Sequence, residues 1–475
     1  MKDESVDGCV NSFKQRQHFS RRVKDVKPSV WVEFTSLAVE CKAVNIGPGF
    51  PDTPMPRFVA GMLESVARHP ERTDWHQYSR SFGYLRLTNA LSRLYSSTLG
   101  VNVDAQQNVL VTVGAYLSLY YSFMGWLNDG DEVIALDPAF DCYVPQIRMA
   151  GGVPVPILLN LSSEPRSSKD YMLNVKAIEE KISNRTKMIV LNNPHNPTGK
   201  LFTREKLEKI ANVVVRHNLL VIADEVYEWH VYGDKKMIRF ASLPDMYSRT
   251  ITIGSAGKAF SVTGWKLGWS IAPAELLEPL RQIHQNCVFT CPTPIQLTMF
   301  SCLTDKVSAE ITVTIDAFSD LQQAVAEAFE KELDLMENNP TESYLKKGIK
   351  SELSQQRDQM ASILRSAGMK PIIPDSCYFM VADFSQLDGP FKIADRNNDP
   401  LDFRFVRWMC REKKLAMIPN SFYTGSNKQG NDNFIRVCFF KIFTLDQYIS
   451  SYDFEMSTDT STSLQHVSQL CGPKL

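Results

Sequence analysis

The sequence predicts an α/β fold, with helices flanking a mostly parallel sheet and a smaller α+β domain attached. Three observations predict it. Short apolar runs recur along the chain: Asn108 to Val113, Glu132 to Leu136, Met188 to Leu191, Leu219 to Ala223, Thr250 to Ile253 and Leu267 to Ala272. Runs of this length without polar alternation suit parallel strands buried on both faces. Between two of these runs, Thr203 stands as an N-cap, and Leu207, Ile210, Ala211 and Val214 fall on one helix face. Repetition of strand, helix and strand argues a sheet covered on both sides, with ligands at the carboxyl ends of its strands. Beyond about Pro292 the pattern becomes more helical, and residues 370–441 mix strands and helices as a smaller domain would.

The same reading divides the chain. Residues 1–28 are polar and mixed in charge and are expected to form a disordered tail. Residues 29–60 form an arm, expected to belong to the small domain, in which an apolar pattern from Trp31 to Leu37 leads into the Gly/Pro-rich stretch Gly47 to Asp52. Residues 61–340 are expected to form the large domain and 341–450 the small one, with a Ser/Thr-rich disordered tail at 451–475. No internal repeat is visible.

Composition narrows the partners. A net charge of -1 from 52 basic and 53 acidic residues argues against nucleic acid and anionic membranes, and favours a small-molecule substrate. No apolar run approaches the roughly 20 residues that span a bilayer, so a soluble protein is expected. Ten cysteines without framework spacing, and an opening MKDESVDG without an apolar stretch, predict free thiols in a reducing compartment. His284, Cys287 and Cys291 come nearest to metal-ligand spacing, but no second pair completes a set, and no metal is expected.

The chemistry concentrates where apolar runs end. Lys258 follows the run Thr250 to Ile253 in the small-residue turn Ser255-Ala-Gly-Lys258, and Lys266 comes eight residues later. Alone, Lys258 reads as a solvated loop charge. A small-residue turn at a strand end also lets backbone amides and the Ser255 hydroxyl reach a phosphate, with Lys266 adding charge and Lys258 free to form an imine. Asp224 closes Leu219 to Ala223, where it either caps the next turn or pairs with a protonated ring nitrogen and keeps that ring an electron sink. Tyr227 and Asn196 are placed to bond a ring oxygen, although an Asx-turn role competes, more strongly for Asn192 than for Asn196. Gly114, Ala115 and Tyr116 precede a helical stretch whose N-terminus would face an anion. Phe140 either stacks on a ligand ring or is core. Arg436, in an apolar run, needs a carboxylate from the protein or from a substrate.

The segments Trp31 to Phe34, Gln77 to Tyr84, Asp137 to Tyr143, Asn192 to Lys200, Val221 to Tyr227 and Ser255 to Trp269 resemble, in order, the class I, fold-type I aminotransferases. The likeness is greatest to the kynurenine aminotransferase, glutamine transaminase K and cysteine-S-conjugate β-lyase group, and runs over roughly residues 29–450. That resemblance implies pyridoxal 5'-phosphate as cofactor, carried on Lys258 as an imine. Asp224 would sit under the pyridine nitrogen, and Tyr227 and Asn196 at the ring oxygen. Ala115, Tyr116, Ser255 and Lys266 would hold the phosphate, with Phe140 against the ring. Gly49, Asn196 and Arg436 would take the substrate carboxylate, and Trp31, Tyr116 and Phe379 would line its side-chain pocket. Tyr78 and Phe289 would enter the site of a neighbouring subunit, which implies a homodimer.

Several positions depart from the family pattern: Ala115 and Ser376 stand where Gly is usual, and Thr290 where His is frequent. Residues 297–322 have no counterpart and are expected to be an insertion. The activity implied is transfer of an amino group from a large neutral or aromatic L-amino acid, such as kynurenine, glutamine, methionine or phenylalanine, to a 2-oxo acid. Carbon-sulfur β-elimination would use the same residues, and a silent cofactor-binding protein is the remote alternative. A cytoplasmic setting is expected. The closing Pro-Lys-Leu475 resembles a peroxisomal address and makes that compartment an alternative, as is the mitochondrion.

Overall fold

The computed structural model describes residues 29–52, 57–297, 343–393, 399–423 and 432–441, with a few isolated positions besides. The expected insertion beyond Leu297, the terminal tail 451–475 and nearly all of 1–28 lie outside the described residues.

Eight strands build the large sheet: β2 (Val109–Thr112), β3 (Glu132–Asp137), β4 (Val153–Leu161), β5 (Tyr171–Leu173), β6 (Thr186–Asn192), β7 (Leu220–Asp224), β8 (Thr250–Ser255) and β9 (Gly268–Ile271). Their order across the sheet is β2-β9-β8-β7-β6-β3-β4-β5. The central pairs are parallel, as expected. The run Leu267 to Ala272 is not: β9 lies antiparallel between β8 and β2. A continuous apolar run reports burial on both faces and says nothing of direction. Here the link from Ser255 to Gly268 turns back at one end of the sheet, without a crossover to the other. The proline-punctuated β4 and the short β5 escaped the apolar-run reading, because half of β4 is exposed or only partly covered.

Burial on two faces is visible residue by residue. Met188, Val190 and Ile222 pack on one side with Leu119 and Phe123 of helix Gly114–Trp126. Ile189, Leu191, Val221 and Ala223 pack on the other with Leu207, Ile210, Ala211 and Val214 of helix Arg204–Arg216. That second helix starts where the sequence places it, with the Thr203 side chain accepting from the Lys206 amide.

The smaller domain has an antiparallel sheet of β10 (Lys370–Ile372), β11 (Phe379–Asp383), β14 (Phe434–Cys438) and β13 (Ile418–Pro419), in that order. Helices Ile349–Ser366 and Leu401–Glu412 pack on it. The arm forms helix Val30–Glu40, capped by Ser29, and then β1 (Val44–Asn45), which pairs in parallel with β12 (Leu415–Ala416). No helix among the described residues is long and apolar enough to cross a membrane.

The turn after β7 is held by a buried charge cluster. Arg239 donates to Glu225 at 2.9 Å, to Glu228, and to Thr98 at 2.8 Å. Glu228 accepts from Tyr95, which in turn accepts from Trp269. Burial pushes the Glu225 carboxyl up to about 7 against the pull of Arg239. Replacing Arg239 by Met strands two buried carboxylates and should lower the unfolding free energy by ~3–5 kcal/mol. Breaking the exposed Arg204 to Glu208 pair should cost less than ~1 kcal/mol. Urea denaturation of both variants measures the contrast, and equal losses would show that the buried cluster is not what holds this turn.

Candidate active site

The strand registers assemble the site. Asn192, Asp224 and Ile253 stand level at the carboxyl ends of β6, β7 and β8. Gly268, the first residue of β9, is flanked by Thr112 at the end of β2 and Ser255 at the end of β8. A Cβ at Gly268 would stand 2.5 Å from the Ala115 nitrogen. Only glycine lets the start of helix Gly114–Trp126 approach this closely. Lys266, with φ +52°, reaches over the same helix start, its Nζ 5.5 Å from the Tyr116 ring centroid.

These elements surround a cavity of about 290 Å³. Its walls include Trp31, Gly49, Ala115, Tyr116, Phe140, Asn192, Asn196, Asp224, Tyr227, Ser255, Lys258, Lys266, Phe379 and Arg436. Of the residues given a cofactor or substrate role from the sequence, Tyr78 and Phe289 alone stay outside it. Tyr78 is 81% and Phe289 47% exposed, and their rings meet edge-on at 5.4 Å.

Lys258 occupies the helical turn Ala256–Ala259. Its Nζ donates to Gly49 O at 3.1 Å and to the Tyr378 hydroxyl at 2.9 Å. Burial lowers the amine's pKa to about 8, with Arg436 and Lys266 adding to the effect and Asp224 opposing it. Asp224 accepts from the Tyr143 hydroxyl at 2.6 Å and, more weakly, from the Val226 amide at 3.4 Å. Burial raises its pKa from the ordinary aspartate value despite the Tyr143 bond. Tyr227 is buried, and desolvation holds its hydroxyl well above the ordinary phenol range.

Asn192 ties the loop together: its Oδ1 accepts from the Asn196 amide at 2.7 Å and its Nδ2 donates to Asp224 O at 2.9 Å. The Asx-type role thus falls to Asn192, which also faces the cavity. Arg436, on β14, donates to Gly47 O at 2.8 Å and to Asn196 Oδ1 at 3.2 Å. Aromatic rings box it, with the Phe379, Tyr423 and Trp31 centroids at 4.1, 4.8 and 5.2 Å from its Cζ. No carboxylate among the described residues forms an ion pair with it, and its buried Nε has no hydrogen-bond partner.

The departures from the family pattern are accommodated in different ways. Ser376 is buried, and both its amide and its hydroxyl donate to Gly199 O. Ala115 lies in the first turn of helix Gly114–Trp126, which fits against Gly268. The Thr290 hydroxyl pairs with Ser79 at 3.2 Å, beside Phe289 and outside the cavity. His284 contacts Ser81 O and Cys291 the Val111 carbonyl, and no described group of His, Cys, Asp and Glu could hold a metal. The seven described cysteines are free thiols.

Sequence reasoning gave no role to Tyr143, Tyr378 or Asp141. Tyr143 was visible within the motif Asp137 to Tyr143, yet its bond to Asp224 spans 81 residues. Asp141 accepts from Trp31 Nε1 at 2.8 Å across 110 residues.

The comparisons with known proteins agree with this architecture. The family described as aminotransferase class I and II matches residues 44–449, and the chain belongs to that family. It is similar to the human kynurenine--oxoglutarate transaminase 3, with 41% identity over 442 residues covering 91% of this chain and 90% of that protein. Human kynurenine--oxoglutarate transaminase 1 is 40% identical over 436 residues, covering 90% and 95%. Among solved structures, Bna3p of Saccharomyces cerevisiae superposes with a TM-score of 0.78 at 26% identity, covering 96% of this chain and all of that one. Family membership implies pyridoxal 5'-phosphate as the cofactor.

The depressed basicity of Lys258 can be read directly. In cofactor-free protein, acylation of Lys258 followed by peptide mapping should titrate with a midpoint near 8. The ammonium is protected below that pH and the free amine reacts above it. A midpoint near the ordinary lysine value of about 10.4 would contradict the burial argument.

Proposed function

We propose that this protein is a pyridoxal-phosphate-dependent transaminase that moves an amino group from a large neutral or aromatic L-amino acid to a 2-oxo acid. The reading rests on the convergence of Lys258, Asp224 and Arg436 on one cavity, a lysine, a carboxylate and an arginine on three separate elements. The residues present fit the cofactor. A Cβ would close the approach at Gly268, Lys266 makes no ion pair among the described residues, and Asp224 keeps acceptor capacity toward the cavity.

When bound, pyridoxal phosphate supplies an aldehyde that condenses with amines and a ring that withdraws electrons from the substrate's Cα. Ala115, Tyr116, Ser255 and Lys266 would hold its phosphate at a helix N-terminus. Asp224 would accept from the ring nitrogen, its carboxylate oriented by Tyr143. Tyr227 would donate to the ring oxygen together with Asn196, whose Oδ1 already serves Arg436 and whose side-chain N-H groups remain to donate. Phe140 would pack against the ring. Lys258 Nζ is the base for the substrate's Cα proton, and a pKa near 8 leaves part of the amine neutral near pH 7. Arg436 grips the α-carboxylate beside Gly49 and so supplies the missing counter-ion. Trp31, Tyr116 and Phe379 receive the side chain.

A homodimer completes the proposal. The exposed Tyr78 and Phe289 lie outside their own chain's cavity, which suits entry into a neighbour's site at its rim.

Four measurements test the reading. Borohydride reduction of the holoenzyme should label Lys258, and labelling of Lys266 in its place would reverse the two roles. A substrate panel should show phenylalanine, methionine, glutamine and kynurenine turned over faster than aspartate, whose second carboxylate meets an aromatic lining without a further cation. Arg436→Lys keeps a charge and loses the fork, and should lower kcat/KM for every amino acid by at least about thirtyfold. A wild-type enzyme fastest with aspartate would sink the aromatic-pocket reading. At the rim, Thr290→His should raise kcat/KM for kynurenine relative to phenylalanine, and an unchanged ratio would remove position 290 from substrate choice.

A further inference from the structure

Tyr378 immediately precedes Phe379 at the start of β11, and its ring is fully buried. Its hydroxyl donates to Gly49 O at 2.8 Å and accepts from Lys258 Nζ at 2.9 Å and from the Tyr227 hydroxyl, while Nζ also donates to Gly49 O at 3.1 Å. Hydroxyl, carbonyl and amine close a triangle. Neighbouring rings fix the phenol: Tyr227 meets it edge-on at 5.3 Å, His230 at 5.4 Å and Phe440 at 5.7 Å, and Phe379 lies tilted at 4.9 Å.

Hydrogen counting gives the triangle a direction. A neutral primary amine has two N-H donors and one lone pair, and a phenol has one donor. With the phenol proton directed to Gly49 O at 2.8 Å, Tyr378 leaves the amine's lone pair uncapped. Gly49 O and Tyr378 O together accept both N-H groups. What remains unengaged on Nζ is the lone pair, the part of the amine that must meet the Cα proton. An ammonium here would hold a third N-H with no acceptor in the triangle, in keeping with the amine's lowered basicity.

We propose that Tyr378 is a positioning residue for the released Lys258 amine, holding it by its N-H groups with Gly49 so that the lone pair is presented to the substrate's Cα. The role rests on the transaminase reading. In the step it serves, the Cα-H bond breaks, its electron pair stays on the substrate carbon and is drawn toward the ring, and a new N-H bond forms on Nζ. The ammonium would then pass that proton on to the bound cofactor and regain its lone pair. The charged and titratable groups facing Nζ are Arg436, Asp224, Lys266, Cys438, Cys377, whose thiol burial holds well above its ordinary range, His230, Tyr227 and Tyr378 itself. Burial holds the His230 imidazole neutral down to about 3 and pushes the Cys438 thiol up to about 11, so neither changes charge where the amine does.

The test is Tyr378→Phe in the full-length protein, which keeps the ring and removes the hydroxyl. In the holoenzyme, single turnover with phenylalanine should slow by about tenfold to a hundredfold while KM moves less than about twofold. The isotope effect of Cα-deuterated substrate should increase. In the cofactor-free variant, the acylation midpoint of Lys258 should fall below the parent's, because the ammonium has lost an acceptor. A fluorotyrosine at position 378 keeps every contact, weakens the acceptor and should shift both readouts in the same sense by less. Parental rate, isotope effect and midpoint in Tyr378→Phe would overturn the proposal and leave the tyrosine as packing. A parent protein inert toward every amino acid would instead overturn the transaminase reading, and with it the role, even where the midpoint shift upholds the contact.

Discussion

Gly268 has no room for a side chain, and the geometry of the site follows from that. It opens β9, the strand that runs against the direction of its neighbours and joins β2 to β8. Its register places the end of one strand, the end of another and the start of a third at one point of the sheet edge. Because a Cβ there would collide with the Ala115 nitrogen, the helix after β2 sits against the turn after β8. Segments more than a hundred residues apart, Gly114 to Tyr116 and Ser255 to Lys266, thereby face one volume. An all-parallel arrangement would carry the start of β9 to the opposite edge and leave Lys266 remote from the helix N-terminus.

Charge explains what that volume is shaped to receive. Lys258, Lys266 and Arg436 line it with Asp224 as the lining carboxylate, so the cavity carries an excess of positive charge while the whole chain is nearly neutral. Buried cations of this kind persist when they neutralise or find anions. Lys258 moves toward the first, with its pKa lowered to about 8. Arg436 is kept charged by its chemistry and must do the second. Its partners Gly47 O and Asn196 Oδ1 are neutral, and its Nε is unpartnered. A phosphate at one end of the cavity and a carboxylate at the other would balance what the protein leaves uncompensated.

Much of this was legible in the sequence, because local patterns encode it. Buried runs revealed strands, Thr203 revealed a helix start, and polar residues placed directly after buried runs revealed Asp224, Lys258 and Asn196. The direction of Leu267 to Ala272 was not legible, since an apolar run is the same read either way. Tyr378 was hidden for a related reason. A tyrosine within Cys377-Tyr-Phe-Met-Val381 reads as core, and its hydroxyl acquires a role from Gly49, 329 residues away, and Lys258, 120 residues away. Tyr143 was similarly an aromatic in a motif until the fold set it against Asp224. Residue type at strand ends announces chemistry. Contacts between strand ends arise from topology, which local spacing does not carry.

The tandem Tyr378-Phe379 shows how the small domain enters that chemistry. Successive residues on a strand point to opposite sides: Phe379 begins β11 and lines the cavity, while Tyr378, just outside the strand, reaches Gly49 and Lys258 with its hydroxyl. One holds the amine of Lys258, and the other covers Arg436 and leaves no space for a Cβ on Gly49. The arm closes the arrangement: β1 is paired to β12, Gly47 accepts from Arg436, and Gly49 accepts from Lys258 and Tyr378. A carboxylate arriving at Arg436 therefore binds where arm and small sheet meet, a few residues from the carbonyl that steadies the lysine. Binding energy gained at the substrate's unreactive end is thereby available to order the groups at its reactive end, which is where interactions that favour the transition state must be made.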